Sequence, residues 1–160
     1  MAIKFRVWDS LKRRMLYAGE NLVDEDGRRY FIFIGQDGRA FQVYPLKEGA
    51  TFVPAEPRFV VMLWSGYKDK NGKEIYEGDI VEFEKWGQKI TGLVKCSNCS
   101  VFIEQLTHAT AHLDELAIPL YFYEYNSPTF EWNELVVVGN KFETPNLLPI
   151  EKLDQKNFVY

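Results

Sequence analysis

The chain has 160 residues, 46% of them hydrophobic, with a formal net charge of −4, enough for one domain with a real core or one core plus a small appended unit. The acidic balance argues against affinity built on phosphate neutralisation, because Lys12, Arg13 and Arg14 form the only three-residue basic run. No stretch approaches the roughly 20 apolar residues of a membrane helix, Met1 to Asp9 has no apolar targeting core, and two cysteines make no disulfide scaffold, so a soluble, reducing, cytoplasmic setting is expected.

Twelve Phe, nine Tyr and four Trp favour strands, since aromatic and β-branched side chains fit a pleated surface. Ile3, Phe5 and Val7 alternate with Lys4 and Arg6 as in a half-buried strand, and Met15 to Tyr17 forms its return partner. Asp26-Gly27 and Asp37-Gly38 read as two-residue hairpin turns, flanking a strand at Tyr30 to Ile34 and leading to another at Phe41 to Tyr44. Pro45 to Pro57, with four residues that break ladders (Pro45, Gly49, Pro54, Pro57), reads as a linker. Arg58 to Trp64 resumes as a strand. A soft boundary inside Lys47 to Pro57 gives an N-terminal hairpin region at 1–57 and a barrel-like β region at 58–160, with one continuous domain as the alternative.

Asn71-Gly72 predicts a type I′ turn, and Glu77-Gly78-Asp79 a second corner at which Asp79 accepts backbone N–H groups. Ile80 to Phe83 pairs with Ile90 to Val94 across Trp86-Gly87, and Val101 to Ile103 is a further strand. Glu104 to Ala117 carries Leu106, Ala109, Leu113, Leu116 and Ala117 at helical spacing, with Pro119 as a stop. Leu120 to Tyr125 and Leu135 to Val138 read as strands, and a short helical turn follows Pro145. The expected class is mainly β, a barrel or meander with one or two short helices.

Three blocks carry a family resemblance. Lys4-Phe5-Arg6-Val7-Trp8-Asp9 followed by Met15, the central run Ser65 to Val81, and Val136 to Leu148 resemble, in order, the opening, signature and closing motifs of the YopX family. The resemblance implies a mostly β fold with a barrel-like C-terminal part, in proteins encoded by phages and prophages. It implies no catalytic residues. Lys95 to Ser127 departs from the family pattern.

Cys96-Ser97-Asn98-Cys99 is a C-x-x-C pair, and His108 and His112 would share one face of a helix, so four zinc-type ligands lie within seventeen residues. The eight-residue spacer between Cys99 and His108 is shorter than the roughly 12 of common fingers. Two cysteines at a strand end with two histidines on a solvated helix face is the plainer account, and a redox pair is the third. Ala109 stands where a metalloprotease needs Glu. The carboxylates Glu74, Glu77 and Asp79 suit turn chemistry better than acid–base catalysis. Tyr121, Tyr123, Tyr125 and Trp132 form a dense aromatic cluster interleaved with Glu124 and Glu131, which fits a subunit or protein interface better than a nucleic-acid platform.

Function is therefore expected in one of three forms. The first is a non-enzymatic phage accessory protein that binds a host or phage protein, or a second copy of itself, with no cofactor. The second is a small β-barrel that binds nucleic acid. The third is a module stabilised by zinc at Cys96, Cys99, His108 and His112.

Overall fold

A computed structural model of the chain describes residues 4–36, 38–85, 87–97, 100–106, 118–119 and 134–149. The described residues are almost all β. In chain order the strands are β1 (Phe5–Asp9), β2 (Arg14–Tyr17), β3 (Leu22–Val23), β4 (Arg29–Ile34), β5 (Ala40–Pro45), β6 (Ala50–Pro54) and β7 (Phe59–Lys68). They continue with β8 (Glu74–Tyr76), β9 (Asp79–Lys85), β10 (Gln88–Ser97), β11 (Ser100–Gln105), β12 (Ile118–Pro119) and β13 (Val136–Asn140), followed by a 3-10 turn at Pro145–Leu147. The chain divides into two compact units between Met62 and Leu63.

In the first unit, β1 pairs antiparallel with β2 from Arg6↔Tyr17 to Asp9↔Arg14, and β7 enters beside β1 in the order β2-β1-β7. A second sheet runs β3-β4-β5-β6. Tyr30, Ile32 and Ile34 alternate inward from β4 and pack with Phe5, Val7, Leu16, Leu22 and Phe59, each buried side chain contributing about 1.5–3 kcal/mol of transfer free energy. The Tyr30 ring lies 5.5 Å from that of Tyr44 and 6.4 Å from that of Phe59. Asp9 is 1% exposed. Its Oδ1 accepts the N–H groups of Leu11 and Lys12 at 3.1 Å each, which supplies partners for the turn's backbone.

In the second unit, β7 pairs with β8, with two more residues on β7 than on β8 between Trp64↔Tyr76 and Lys68↔Glu74. This is a bulged ladder, which bends the strand. Five strands follow in the order β12-β11-β10-β9-β13. The core gathers Ile75, Val81, Phe83, Ile90, Val94, Ile103, Leu135 and Val137, with Ile80, Leu93 and Leu106 beside it.

Three expectations are corrected. The hairpins that turn at Gly27, Gly38 and Gly72 have three-residue loops. At Asp24, Gly35 and Asp69 the same pattern recurs: the first residue's N–H bonds the carbonyl four residues on, and its carbonyl accepts the N–H three residues on. At Asp24 and Asp69 this is a type I turn closed by a left-handed residue, the place that Gly27 and Gly72 take with φ of 76° and 78°, and Gly38 likewise has φ 80°. Asn71 has no positive φ, so the type I′ turn does not form. Pro45 to Pro57 is not an unstructured linker, because Ala50–Pro54 forms β6. Pro54 sits opposite Phe41 at the sheet edge, where a missing N–H costs no ladder bond. Glu104 and Gln105 belong to β11, paired with Leu93 and Gly92, so the helix does not begin at Glu104; residues 107–117 lie outside the described residues.

Candidate functional site

The candidate zinc and interface residues are mostly not described. Cys99, His108, His112, Tyr121, Tyr123, Tyr125 and Trp132 lie outside the described residues. Cys96 is described, on β10 opposite Val101, half-buried and free. Burial, reinforced by the negative charge of Glu77, pushes its thiol up to about 11. Glu77 is itself raised by burial, against the opposing pull of Lys141 and of backbone N–H groups at Leu63 and Cys96. Lys141 is lowered by burial, partly offset by Glu77. These groups form a half-buried charge cluster around the Cys96 thiol. Among the described residues no group of three or more His, Cys, Asp or Glu could hold a metal ion.

Asp69, Asp79 and Asn140 of the motif blocks serve the backbone. Asp79 is 1% exposed and its Oδ2 accepts the N–H of Tyr76 at 2.8 Å. Asp69 is 5% exposed; its Oδ1 accepts the N–H groups of Asn71 at 2.8 Å and Lys73 at 2.9 Å, and its Oδ2 accepts that of Val137 at 3.0 Å. Burial alone would raise the Asp69 carboxyl, but those three N–H groups and the charge of Lys73 hold it below its ordinary value. Asn140 accepts the N–H groups of Phe142 and Glu143 through Oδ1, at 3.0 and 2.9 Å. Glu74 accepts the hydroxyl of Tyr76 at 2.8 Å. Burial and these backbone donors set the carboxylates of Asp69 and Asp79 to holding the turns. The blocks thus encode corners of the fold.

Beside the central hairpin lies an open groove of about 790 Å³, lined by Lys70 and Lys89 and by Glu82, Glu84 and Glu134. Lys89 and Glu82 pair at 2.7 Å across it. The mixed charges give it no strong preference for a charged ligand.

The distinctive surface lies elsewhere, in the first unit. In the β3-β4-β5-β6 sheet the register stacks Phe31, Val43 and Phe52 in one row and Phe33, Phe41 and Pro54 in the next. Directly opposed residues share a face, and this face is opposite to the one that buries Tyr30, Ile32 and Ile34. Val23, Pro45 and Ala50 fall on it too, and Arg29 is the one charged residue at these positions. A sheet with one solvated face ordinarily carries polar residues there. Here Phe33 is 46% exposed and Phe52 58% exposed, with their rings edge to face at 6.2 Å. Strand β6 is exposed at all five positions. Val43, between them in these rows, is 1% exposed, so the exposed part of the face is the Phe33–Phe52 ring pair, and exposed apolar surface of this kind marks interaction sites. None of these residues falls in the aromatic cluster Tyr121 to Trp132 to which the sequence points. The sequence does hold a signal for them: Tyr30 to Ile34 is apolar at every position, where a half-solvated strand alternates.

Among known proteins, the family model described as YopX protein matches residues 4–149. The crystal structure of YopX from Bacillus subtilis superposes with a TM-score of 0.54 at 18% identity, covering 93% of this chain and all of that one (100%). The crystal structure of protein EF1440 from Enterococcus faecalis gives a TM-score of 0.49 at 23% identity, covering 93% and 99%. No curated protein matches the chain.

Proposed function

The chain belongs to the YopX protein family, and from that premise we propose that it is a phage or prophage accessory protein that works in the bacterial cytoplasm by binding other protein surfaces rather than by catalysis. One observation carries this reading: the apolar outer face of β4, β5 and β6, where Phe33 and Phe52 stand in solvent at 46% and 58% exposure. Aromatic rings held on a rigid sheet lose little conformational entropy on binding and supply large contact area. Asp69 and Asp79, the buried carboxylates of the central block, accept backbone N–H groups. No helix among the described residues is long and apolar enough to cross a membrane.

Affinity capture from bacterial cells tests this reading, comparing the wild type with the Phe33→Ser/Phe52→Ser double variant. Both positions are exposed, so the variant keeps the wild-type melting temperature within a few degrees. The expected result is a protein recovered stoichiometrically with the wild type and lost with the variant. Equal recovery by both overturns the reading, as does recovery by neither when the wild type is also monomeric.

A further inference from the structure

Among the described residues strand β6 ends its sheet, and alternate backbone groups along it face outward. The N–H of Ala55 donates to the carbonyl of Ala40 at 2.9 Å, and that of Leu46 to Gly49 at 3.1 Å. In an antiparallel ladder hydrogen-bonded and non-bonded pairs alternate, so the β5–β6 register makes Tyr44↔Thr51 and Gln42↔Val53 bonded pairs. The N–H groups of Thr51 and Val53 therefore point into the sheet. Those of Ala50 and Phe52 point out of it, as do the carbonyls of Ala50, Phe52 and Pro54. Proline stands at an outward position, where it lacks only a donor that β5 does not use.

We infer that β6 is the interface for a second copy of this chain, the two β6 strands pairing antiparallel about a two-fold axis at Phe52. The inference rests on the protein-binding reading and names the partner. In this register β6 overlaps its partner over its whole length. Each Phe52 N–H donates to the partner's Phe52 carbonyl, and each Ala50 N–H donates to the partner's Pro54 carbonyl, so the missing donor of Pro54 removes bonds only at the two ends. The axis is perpendicular to the sheet, which puts both outer faces on the same side. Phe52 of one copy then lies against Phe52 of the other, and the Phe33–Phe52 ring pair extends into a four-ring row.

Charge favours the same partner. The chain carries −4, and two copies repel at most approaches. Ala50 to Pro54 holds no charged side chain, so here two copies meet without like charges in the paired strands. Exposed edges are ordinarily protected by lysine, proline, bulges or inward charges, and across its five residues β6 has only Pro54, at its end.

The test uses the full chain with Cys96→Ser and Cys99→Ser, to which Thr51→Cys, Phe52→Cys or Val53→Cys is added singly. Cα atoms of an antiparallel bonded pair are about 5.5 Å apart, within disulfide range. Mild oxidation is expected to give a covalent dimer with Phe52→Cys and at least tenfold less with Thr51→Cys or Val53→Cys. Sedimentation of the unmodified wild type is expected to show a dimer at micromolar concentration, and Ala50→Pro, which deletes an outward donor, to shift it to monomer with its circular dichroism unchanged. If Ala50→Pro does not fold, the cysteine scan decides alone. A wild type that stays monomeric, or a crosslink that favours 51 or 53, overturns the inference. A monomer that still captures a bacterial protein through Phe33 and Phe52 leaves the broader reading standing, and a monomer that captures none removes both.

Discussion

The carboxylate of Asp69 holds the tip of the β7–β8 hairpin to β13: its Oδ2 accepts the N–H of Val137 at 3.0 Å across 68 positions of sequence, while Oδ1 closes the loop through Asn71 and Lys73. The N–H of Lys70 adds a second tie, to the carbonyl of Leu135 at 2.9 Å. Asp24 closes its own hairpin in the same manner, accepting from Asp26 and Arg28 at 3.0 and 2.8 Å, but there both donors are local and the loop is exposed. The central block is thus the place where a local turn and a long-range strand contact share one side chain.

Replacing Asp69 should cost accordingly. Asp69→Ala strands buried donors at Val137 and in the loop, and a loss of about 2–3 kcal/mol is expected. Asp69→Asn keeps an acceptor but loses the charge. The folded-state carboxyl of Asp69 lies below the ordinary 3.8, so its contribution is fully present above that value and is lost as pH falls through the folded one. Denaturant melts of wild type and Asp69→Asn should differ most near neutral pH and converge in acid. A gap that is unchanged down to about pH 2 would show that the charge contributes nothing.

The loop geometry separates Asn71 from Gly72. Gly72 has φ 78° and Asn71 does not enter the left-handed region. Gly72→Ala should therefore destabilise by about 1 kcal/mol or more. Asn71→Ala, at an exposed position of ordinary backbone, should change stability by less than about 0.5 kcal/mol. A type I′ turn would penalise both substitutions, so thermal melts of the two variants distinguish the turns.

This loop also shows what is legible in the sequence. Asn-Gly and Asp-Gly announce a hairpin correctly, since Gly supplies the positive φ in either turn type. The number of loop residues depends on the pairing register, which tertiary contacts set. Strand β6 is hidden for a related reason: prolines forbid a central strand, yet Pro54 is harmless where its absent N–H faces outward. The end of β11 reads as helix because Leu106 and the apolar residues after it fit a helical period, whereas the ladder to β10 holds Glu104 and Gln105 extended. The three motif blocks stand out in order because their Asp and Asn residues are required by corners, and such requirements are local enough to leave a pattern. The apolar face of β4 to β6 is a property of register across three strands, so no single segment displays it.

Gly92 marks a tight approach between neighbouring strands. A Cβ there would collide with Cγ2 of Ile103, and the carbonyl oxygen of Glu104 would lie at 3.3 Å. Ile103 is 5% exposed and cannot swing into solvent. Gly92→Ala should cost about 2 kcal/mol through overpacking. Ile103→Ala alone should cost about 2–5 kcal/mol, and the double variant should be less destabilised than the two losses summed, by about 1 kcal/mol. Strict additivity in urea melts would show that the strain at Gly92 arises elsewhere.

Cys96 offers a reactivity test. Its thiol is pushed up to about 11, first by burial and then by the charge of Glu77, so little thiolate exists at about pH 8. Since the thiolate is the nucleophile, alkylation of Cys96 by iodoacetamide in a Cys99→Ser background should be more than about tenfold slower than in the unfolded chain. Glu77→Gln removes the second cause and leaves the first, so it should raise the rate while keeping it below the unfolded value. Glu77→Gln also removes the negative partner that favours the charged form of Lys141, which sits beside the same strand corner through its N–H bond to the carbonyl of Gly78 at 2.9 Å. The rate should therefore rise without a loss of secondary structure, because that backbone bond does not involve the substituted side chain. Alkylation of the folded protein as fast as of the unfolded chain would mean that Cys96 is neither desolvated nor opposed by Glu77.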